Sequence, residues 1–160
     1  MSDMTINNAP NQVNHAEQIA SLRSEFAFVH EQVVAWGDMD ALNHLNNVVY
    51  YRYAESARIG YLEALELFND NVQVVLAQSS CQYLRPVVFP DTLQIGVRCK
   101  HLGNTSMVMS YAYFSQSQNQ IVATAESVLV RLDPQTMQKV AWQEDERQQI
   151  VSFDSQVGSK

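Results

Sequence analysis

The chain has 160 residues, 46% of them hydrophobic and 17% charged, with a formal net charge of −7. This composition describes one folded domain with a substantial core and excludes a disordered chain. No basic run interrupts the acidic balance, which argues against nucleic acid as a partner, and no apolar run approaches the roughly 18 residues of a membrane span.

Met1 to about Ser24 is polar, with Asn7, Asn8, Pro10, Asn11 and Asn14, and reads as a flexible tail or as a short helix near Ala16–Leu22. It has no apolar core of a secretory signal, so a cytoplasmic protein is expected. Phe26 to Trp36 carries Phe28, Val34 and Trp36 on one parity and Val29, Val33 and Ala35 on the other. That pattern suits a strand covered on both sides for part of its length, ended by Gly37. A turn follows at Asp38–Asn46, in which Asn46 and Asn47 are both plausible helix caps.

Val48 to Phe68 reads as a helix of roughly 20 residues, about 30 Å long. Tyr50, Tyr53, Ala54, Ala57, Tyr61, Ala64, Leu65 and Phe68 form its apolar stripe, and Asn69-Asp70-Asn71 is expected to stop it. The stripe reads as core packing. Glu55 and Arg58 lie three apart and can pair on the helix surface. The remainder is β in character. Strands are expected at Val72–Tyr83, Thr92–His101, Ser106–Ser115 and Ile121–Leu132, with a short terminal helix at Gln143–Val151. In Ser106–Ser115, Met107, Met109, Tyr111 and Tyr113 share one parity. Short turns between successive strands imply an antiparallel sheet, and one helix covering one sheet gives an α+β domain. The domain is placed at residues 25–151, between a tail at 1–24 and another at 152–160.

The chemistry concentrates between Asp38 and Asn47. Two aspartates two residues apart precede a turn holding His44, Asn46 and Asn47, which opens the long helix. A carboxylate can act as base or nucleophile, and a helix N-terminus offers unpaired N–H groups and partial positive charge to a developing oxyanion. Asp38 alone reads as an Asx-type turn residue. His44 can orient a side chain, contact substrate or make a structural hydrogen bond. Cys81 and Cys99 form no metal or redox motif and read as reduced strand residues. His30, His44 and His101 are scattered, so no metal and no cofactor is expected. Arg85, Arg98, Lys100 and His101 are the candidate anion contacts.

The element order and the stretch WGDMDALNHLNNVVYYRYAESAR resemble the hotdog-fold acyl-CoA thioesterases of the 4-hydroxybenzoyl-CoA thioesterase type, over roughly Phe26 to Arg147. The segment CQYLRPVVFPDTL carries the same resemblance. It implies a long central helix wrapped by a five-stranded antiparallel sheet, with subunits paired into a homodimer or homotetramer through continuous sheets and sites at the interface. It implies hydrolysis of acyl-CoA, or of acyl groups on an acyl carrier protein. Asp40 matches the catalytic carboxylate, as base or nucleophile, and the backbone amide of Asn47 matches the oxyanion donor. His44, Asn46, Tyr50 and Arg85 are expected to contact substrate. Glu55 and Arg58 are expected to hold helix and dimer. Asn43 stands where many members have glycine, and Asn tolerates the left-handed conformation that such a turn needs. A hotdog dehydratase or hydratase, and a non-catalytic acyl-CoA-binding protein, are the alternatives; neither nucleic acid nor membrane is an expected partner.

Overall fold

A computed structural model describes residues 15–156. Its elements are α1 (His15–Glu25), β1 (Phe28–Val33), α2 (Asn47–Ala64), β2 (Gln73–Tyr83), β3 (Thr92–Leu102), β4 (Ser106–Ser115), β5 (Gln120–Leu132) and α3 (Glu144–Ser155), with a 3-10 turn at Trp36–Asp38. The strands form a five-stranded sheet in the order β1-β3-β4-β5-β2, and each neighbouring pair is antiparallel. The domain is therefore α+β, as the strand pattern predicts. The connection from β1 to β2 links the two sheet edges and must traverse a face. At 18 residues α2 is roughly 27 Å long, enough to cross five strands spaced about 4.8 Å apart.

The inner face is apolar because the strands alternate. Met107, Met109, Tyr111 and Tyr113 are at most 1% exposed, and they join Leu93, Ile95, Val97, Ala123, Ala125 and Leu129 in one core with α2. From α2 come Tyr50, Tyr53, Ala54, Ala57, Tyr61 and Leu62, joined by its C-cap Leu65. Each large side chain buried in this way contributes roughly 1.5–3 kcal/mol. Gly60 lets α2 approach β1, since a Cβ there would lie 2.8 Å from the Phe28 ring.

Four expectations are corrected. The first strand is shorter than Phe26–Trp36, and Trp36 stands 75% exposed in the 3-10 turn. Helix α2 ends at Ala64, before Phe68, because Glu66 turns left-handed at φ 58° and the Leu67 N–H folds back onto the Leu62 carbonyl at 2.9 Å. This is a Schellman ending, with buried Leu67 stacked back toward Leu62 and glutamate where glycine is usual. Ala64 and Phe68 are accordingly exposed, and Asn69–Asn71 lies beyond the helix.

The third correction is at the N-terminal boundary: the short helix expected near Ala16–Leu22 is present, and it belongs to the domain instead of to a tail. Residues 15–24 belong to α1, which packs on the outer sheet face through Leu22 and Phe26 against Ala112 and Phe114. Gly96 makes room, since a Cβ there would lie 2.5 Å from the Phe26 ring, and Arg98 sits over that ring at 5.0 Å. The first strand is thus covered on both sides in part: Phe28 meets Tyr61, and Val29 packs with the α1 cluster. The tail expected at residues 1–14 lies outside the described residues.

The fourth concerns the C-terminal boundary, because α3 runs on through Ser155. Glu146 makes a buried bidentate pair with Arg131, both bonds 2.8 Å, and caps α3 through the Gln143 N–H. Removing one member of such a pair costs roughly 3–5 kcal/mol. At the other end Asp154 Oδ2 accepts from the Tyr61 hydroxyl at 2.7 Å and the Cys99 N–H at 2.9 Å, while its buried Oδ1 has no partner among the described residues.

Burial raises the Asp154 pKa above the ordinary carboxylate value, and the hydrogen bonds from Tyr61 and Cys99 only partly oppose this. A carboxyl raised in the folded state adds stability while protonated, and loses it as pH rises through the raised value. Asp154→Asn removes that titration. The difference in denaturant midpoint between Asp154→Asn and wild type is expected to move in favour of the variant from about pH 4 to about pH 8. A pH-independent difference would contradict the buried charge.

Candidate functional site

The chain leaves β1 through the 3-10 turn and reverses over Asp40–Leu45 before entering α2. The reversal closes locally. The Asp40 N–H donates to the His44 carbonyl at 2.7 Å and the Asn43 N–H to the Asp40 carbonyl at 3.0 Å. Asn43 takes φ 61°, the left-handed conformation expected of it. Asp40 Oδ1 accepts from the backbone N–H groups of Leu42 at 2.8 Å and His44 at 3.2 Å. Its Oδ2 accepts no hydrogen bond among the described residues. The Asx-type role read for Asp38 thus falls to one oxygen of Asp40, leaving the other uncommitted.

Asp38 is held differently. Its Oδ1 accepts from Arg52 and its Oδ2 from the Tyr53 hydroxyl, each at 2.5 Å. Burial pushes its pKa up, but the hydrogen bonds from Tyr53 and Arg52, with the Arg52 charge, outweigh this and hold it below the ordinary carboxylate value. The Asp38 carbonyl also accepts from the Asn46 N–H at 3.0 Å, so the turn is tied to α2 from both sides.

Asn46 is the N-cap of α2. Its side-chain oxygen accepts from the Val48 N–H at 3.0 Å and its carbonyl from the Val49 N–H at 2.9 Å. Those two bonds satisfy the second and third N–H groups of the helix. The Asn47 N–H, the first, has no acceptor among the described residues. Tyr83 of β2 donates its hydroxyl to the Asn47 carbonyl at 3.1 Å.

Beside this helix end lies an open cleft of about 460 Å³, lined by Asp40, His44, Leu45, Asn47, Tyr50, Tyr83, Leu84, Arg85 and Pro86. Asp40, His44, Asn47, Tyr50 and Arg85, all singled out in the sequence, therefore share one cavity. Asn46 does not line it, because its side chain is committed to capping. Arg98 and Lys100 lie elsewhere: Arg98 over Phe26, donating to the Glu25 carbonyl, and Lys100 paired with Glu126. Tyr83 escaped sequence reasoning, although it shares its strand parity with Cys81 and sits just before Arg85-Pro86. Its ring meets Tyr50 edge-on at 5.0 Å, and Tyr50 meets the buried Tyr113 at 5.5 Å, so Tyr50 and Tyr83 line the cleft with Tyr113 packed behind them. Burial, then the nearby Cys81 and Asp91, push Tyr50 up to about 12. Burial likewise pushes the Cys81 thiol up to about 11, leaving it protonated and unsuited to nucleophilic attack.

A larger cavity of about 720 Å³ lies on the outer face beneath α1, lined in part by Leu22, Phe26, Arg98, Phe114 and Glu126. Its size does not make it the reactive site. Arg98 and Glu126 are engaged by neighbours, and no α2 N–H group opens into it. The smaller cleft brings an uncommitted carboxylate oxygen and an uncommitted helix amide together.

Known proteins share this arrangement of elements. Residues 34–150 match the thioesterase-like superfamily. The chain is 27% identical over 131 residues to the uncharacterised protein YsmA of Bacillus subtilis, covering 81% of this chain and 88% of that protein. It is 28% identical over 116 residues to the long-chain acyl-CoA thioesterase FadM of Escherichia coli, covering 70% and 88%. A thioesterase of Thermus thermophilus, solved with coenzyme A and zinc, superposes with a TM-score of 0.74 at 28% identity, covering 82% of this chain and 97% of that one. The five-stranded antiparallel sheet with α2 on its inner face is accordingly a hotdog fold. The chain belongs to the thioesterase-like superfamily.

Proposed function

We propose that the protein hydrolyses acyl-CoA thioesters to a free acid and coenzyme A. The observation that carries this reading is the pairing, in one cleft, of the free Oδ2 of Asp40 with the unbonded N–H of Asn47. Asp40 takes a proton from water, and the oxygen left behind attacks the thioester carbonyl carbon. The carbonyl oxygen becomes an oxyanion, held by the Asn47 N–H and the partial positive end of α2. The C–S bond then breaks and coenzyme A leaves as thiolate. Direct attack by Asp40, through a mixed anhydride that water later opens, uses the same two groups. His44 and Tyr50 border the acyl group, and Arg85 at the rim suits the phosphates of coenzyme A. A protein that only bound acyl-CoA would have no use for the uncommitted Asp40 oxygen.

The working unit in this reading is a homodimer, alone or doubled into a tetramer, formed along β2. That edge strand, QVVLAQSSCQY, runs for 11 residues without a charge or a proline and pairs within the protomer on its β5 side. Edges of this length are usually blunted unless they are used. The other edge, β1, has six residues and carries His30 and Glu31. The cytoplasm is the proposed compartment, in keeping with two free cysteines.

Free-thiol release from a panel of short, long and aromatic acyl-CoAs tests the activity. Turnover is expected for at least one of them, with Asp40→Asn slower by at least about a hundredfold at unchanged helix content. Asp38→Asn should lose less turnover, since Asp38 is spent on Arg52 and Tyr53. Equal losses at both positions, or a larger one at Asp38, would overturn the assignment of the base to Asp40. No release from any substrate would leave the binding protein as the better reading.

A further inference from the structure

Arg58 lies in the middle of α2 at 9% exposure, and no carboxylate among the described residues pairs with it. Its Nη1 donates to the Tyr111 hydroxyl at 3.4 Å, a long bond to a neutral group. Arg131, similarly buried, has the bidentate partner Glu146. A guanidinium stripped of water without a counter-charge is costly. Its unbonded nitrogens are not sealed in, however. The fully enclosed, unpartnered polar side-chain atoms among the described residues are Ser127 Oγ, Trp142 Nε1 and Asp154 Oδ1. The free N–H groups of Arg58 therefore reach the protomer's surface.

Helix geometry says where. At about 100° per residue, Tyr51, Glu55 and Arg58 share a sector of roughly 60° on one side of the buried stripe. Gly60, which faces Phe28 of β1, lies on the opposite side. The Tyr51 hydroxyl neighbours that of Tyr83 on β2. The sector thus borders the uncharged β2 edge, where Leu76 and Tyr83 are 49% and 45% exposed. Glu55 is exposed there and makes no ion pair with Arg58 of its own helix.

We infer that Arg58 is completed by Glu55 of a second copy of this chain. Antiparallel pairing of β2 with its copy sets two α2 sectors side by side, running in opposite directions. Across a two-fold axis, contact of Glu55 with Arg58 implies the reciprocal contact. Glu55 followed three residues later by Arg58 is self-complementary in that arrangement, and the axis crosses near Ser56 and Ala57. The contact gives a buried cation its counter-charge twice per dimer and selects one register of the β2 pairing. The inference rests on the subunit pairing proposed above and is independent of the thioester chemistry.

Charge reversal tests it. Glu55→Arg alone, or Arg58→Glu alone, puts like charges at both contacts. An equal mixture of the two variants restores opposite charges across the dimer while leaving like charges within each helix. Sedimentation at micromolar concentration is expected to show a wild-type dimer and association weakened at least about a hundredfold in either variant alone. The mixture should regain the dimer. Glu55→Arg changes an exposed side chain and is expected to fold. If Arg58→Glu does not fold, Glu55→Arg must still weaken the dimer by that factor, and Glu55→Gln must weaken it less. A wild-type monomer would overturn both the pairing and the inference. A Glu55→Arg dimer of undiminished strength, or a mixture of folded variants that stays monomeric, would overturn the Arg58–Glu55 contact alone. Thiol release by the wild type is read separately, so failure of this inference is distinguishable from failure of the proposed activity.

Discussion

The clamp on Asp38 is the interaction on which the site depends. Arg52 and Tyr53, one turn into α2, grip its two oxygens, and its carbonyl takes the Asn46 N–H. The turn between β1 and α2 is thereby fixed against the helix it precedes. Without that grip the loop from Asp40 to Leu45 would be anchored mainly by the Leu45 N–H on the Val87 carbonyl and by the Met39–Leu45 bridge. Asp38 is committed to holding the turn, while one oxygen of Asp40 stays uncommitted.

The second constraint is how the N-terminus of α2 distributes its hydrogen bonds. A helix begins with several N–H groups that lack intrahelical acceptors. Asn46 satisfies two of them, and Tyr83 steadies the Asn47 peptide by donating to its carbonyl from across the cleft. The amide left over is therefore held in place on both sides and still unbonded. Such a donor loses little by reorganising when charge develops beside it. The tyrosine rings lining the cleft are apolar in bulk, which keeps its few polar groups effective.

Much of this was legible in the sequence because local patterns and tertiary outcome agree. The alternation in Ser106–Ser115 puts Met107, Met109, Tyr111 and Tyr113 on one face, which is the core face, and Asn46-Asn47 marks the start of α2. The missed features depend on contacts that a local pattern does not encode. The helix end was misplaced because Ala64, Leu65 and Phe68 continue the apolar period, while the actual stop puts a non-glycine residue, Glu66, in the left-handed conformation. The helix expected near Ala16–Leu22 is present, but its place in the domain depends on a space above Gly96, some 70 residues away in sequence from Phe26. The division of labour between Asp38 and Asp40 required knowing that Arg52 and Tyr53 face Asp38. Arg58 reads as a surface residue from its spacing to Glu55, and its burial follows from the sheet beneath α2, where it reaches Tyr111 of β4.

The proposed role of the Asn47 N–H as oxyanion donor can be tested by removing that one atom pair. Asn46 already holds φ −58° and ψ 133°, the extended conformation that a residue before proline adopts, and Asn47 is the first helical position, where proline is well tolerated. Asn47→Ala removes the side chain and keeps the amide; Asn47→Pro removes the amide. Loss of one such donor costs about 3 kcal/mol, or roughly a hundredfold in rate. Turnover of Asn47→Pro about a hundredfold below Asn47→Ala, at equal helix content and with the turn intact in a crystal structure, is the predicted result. Equal turnover of two well-folded variants would contradict the account.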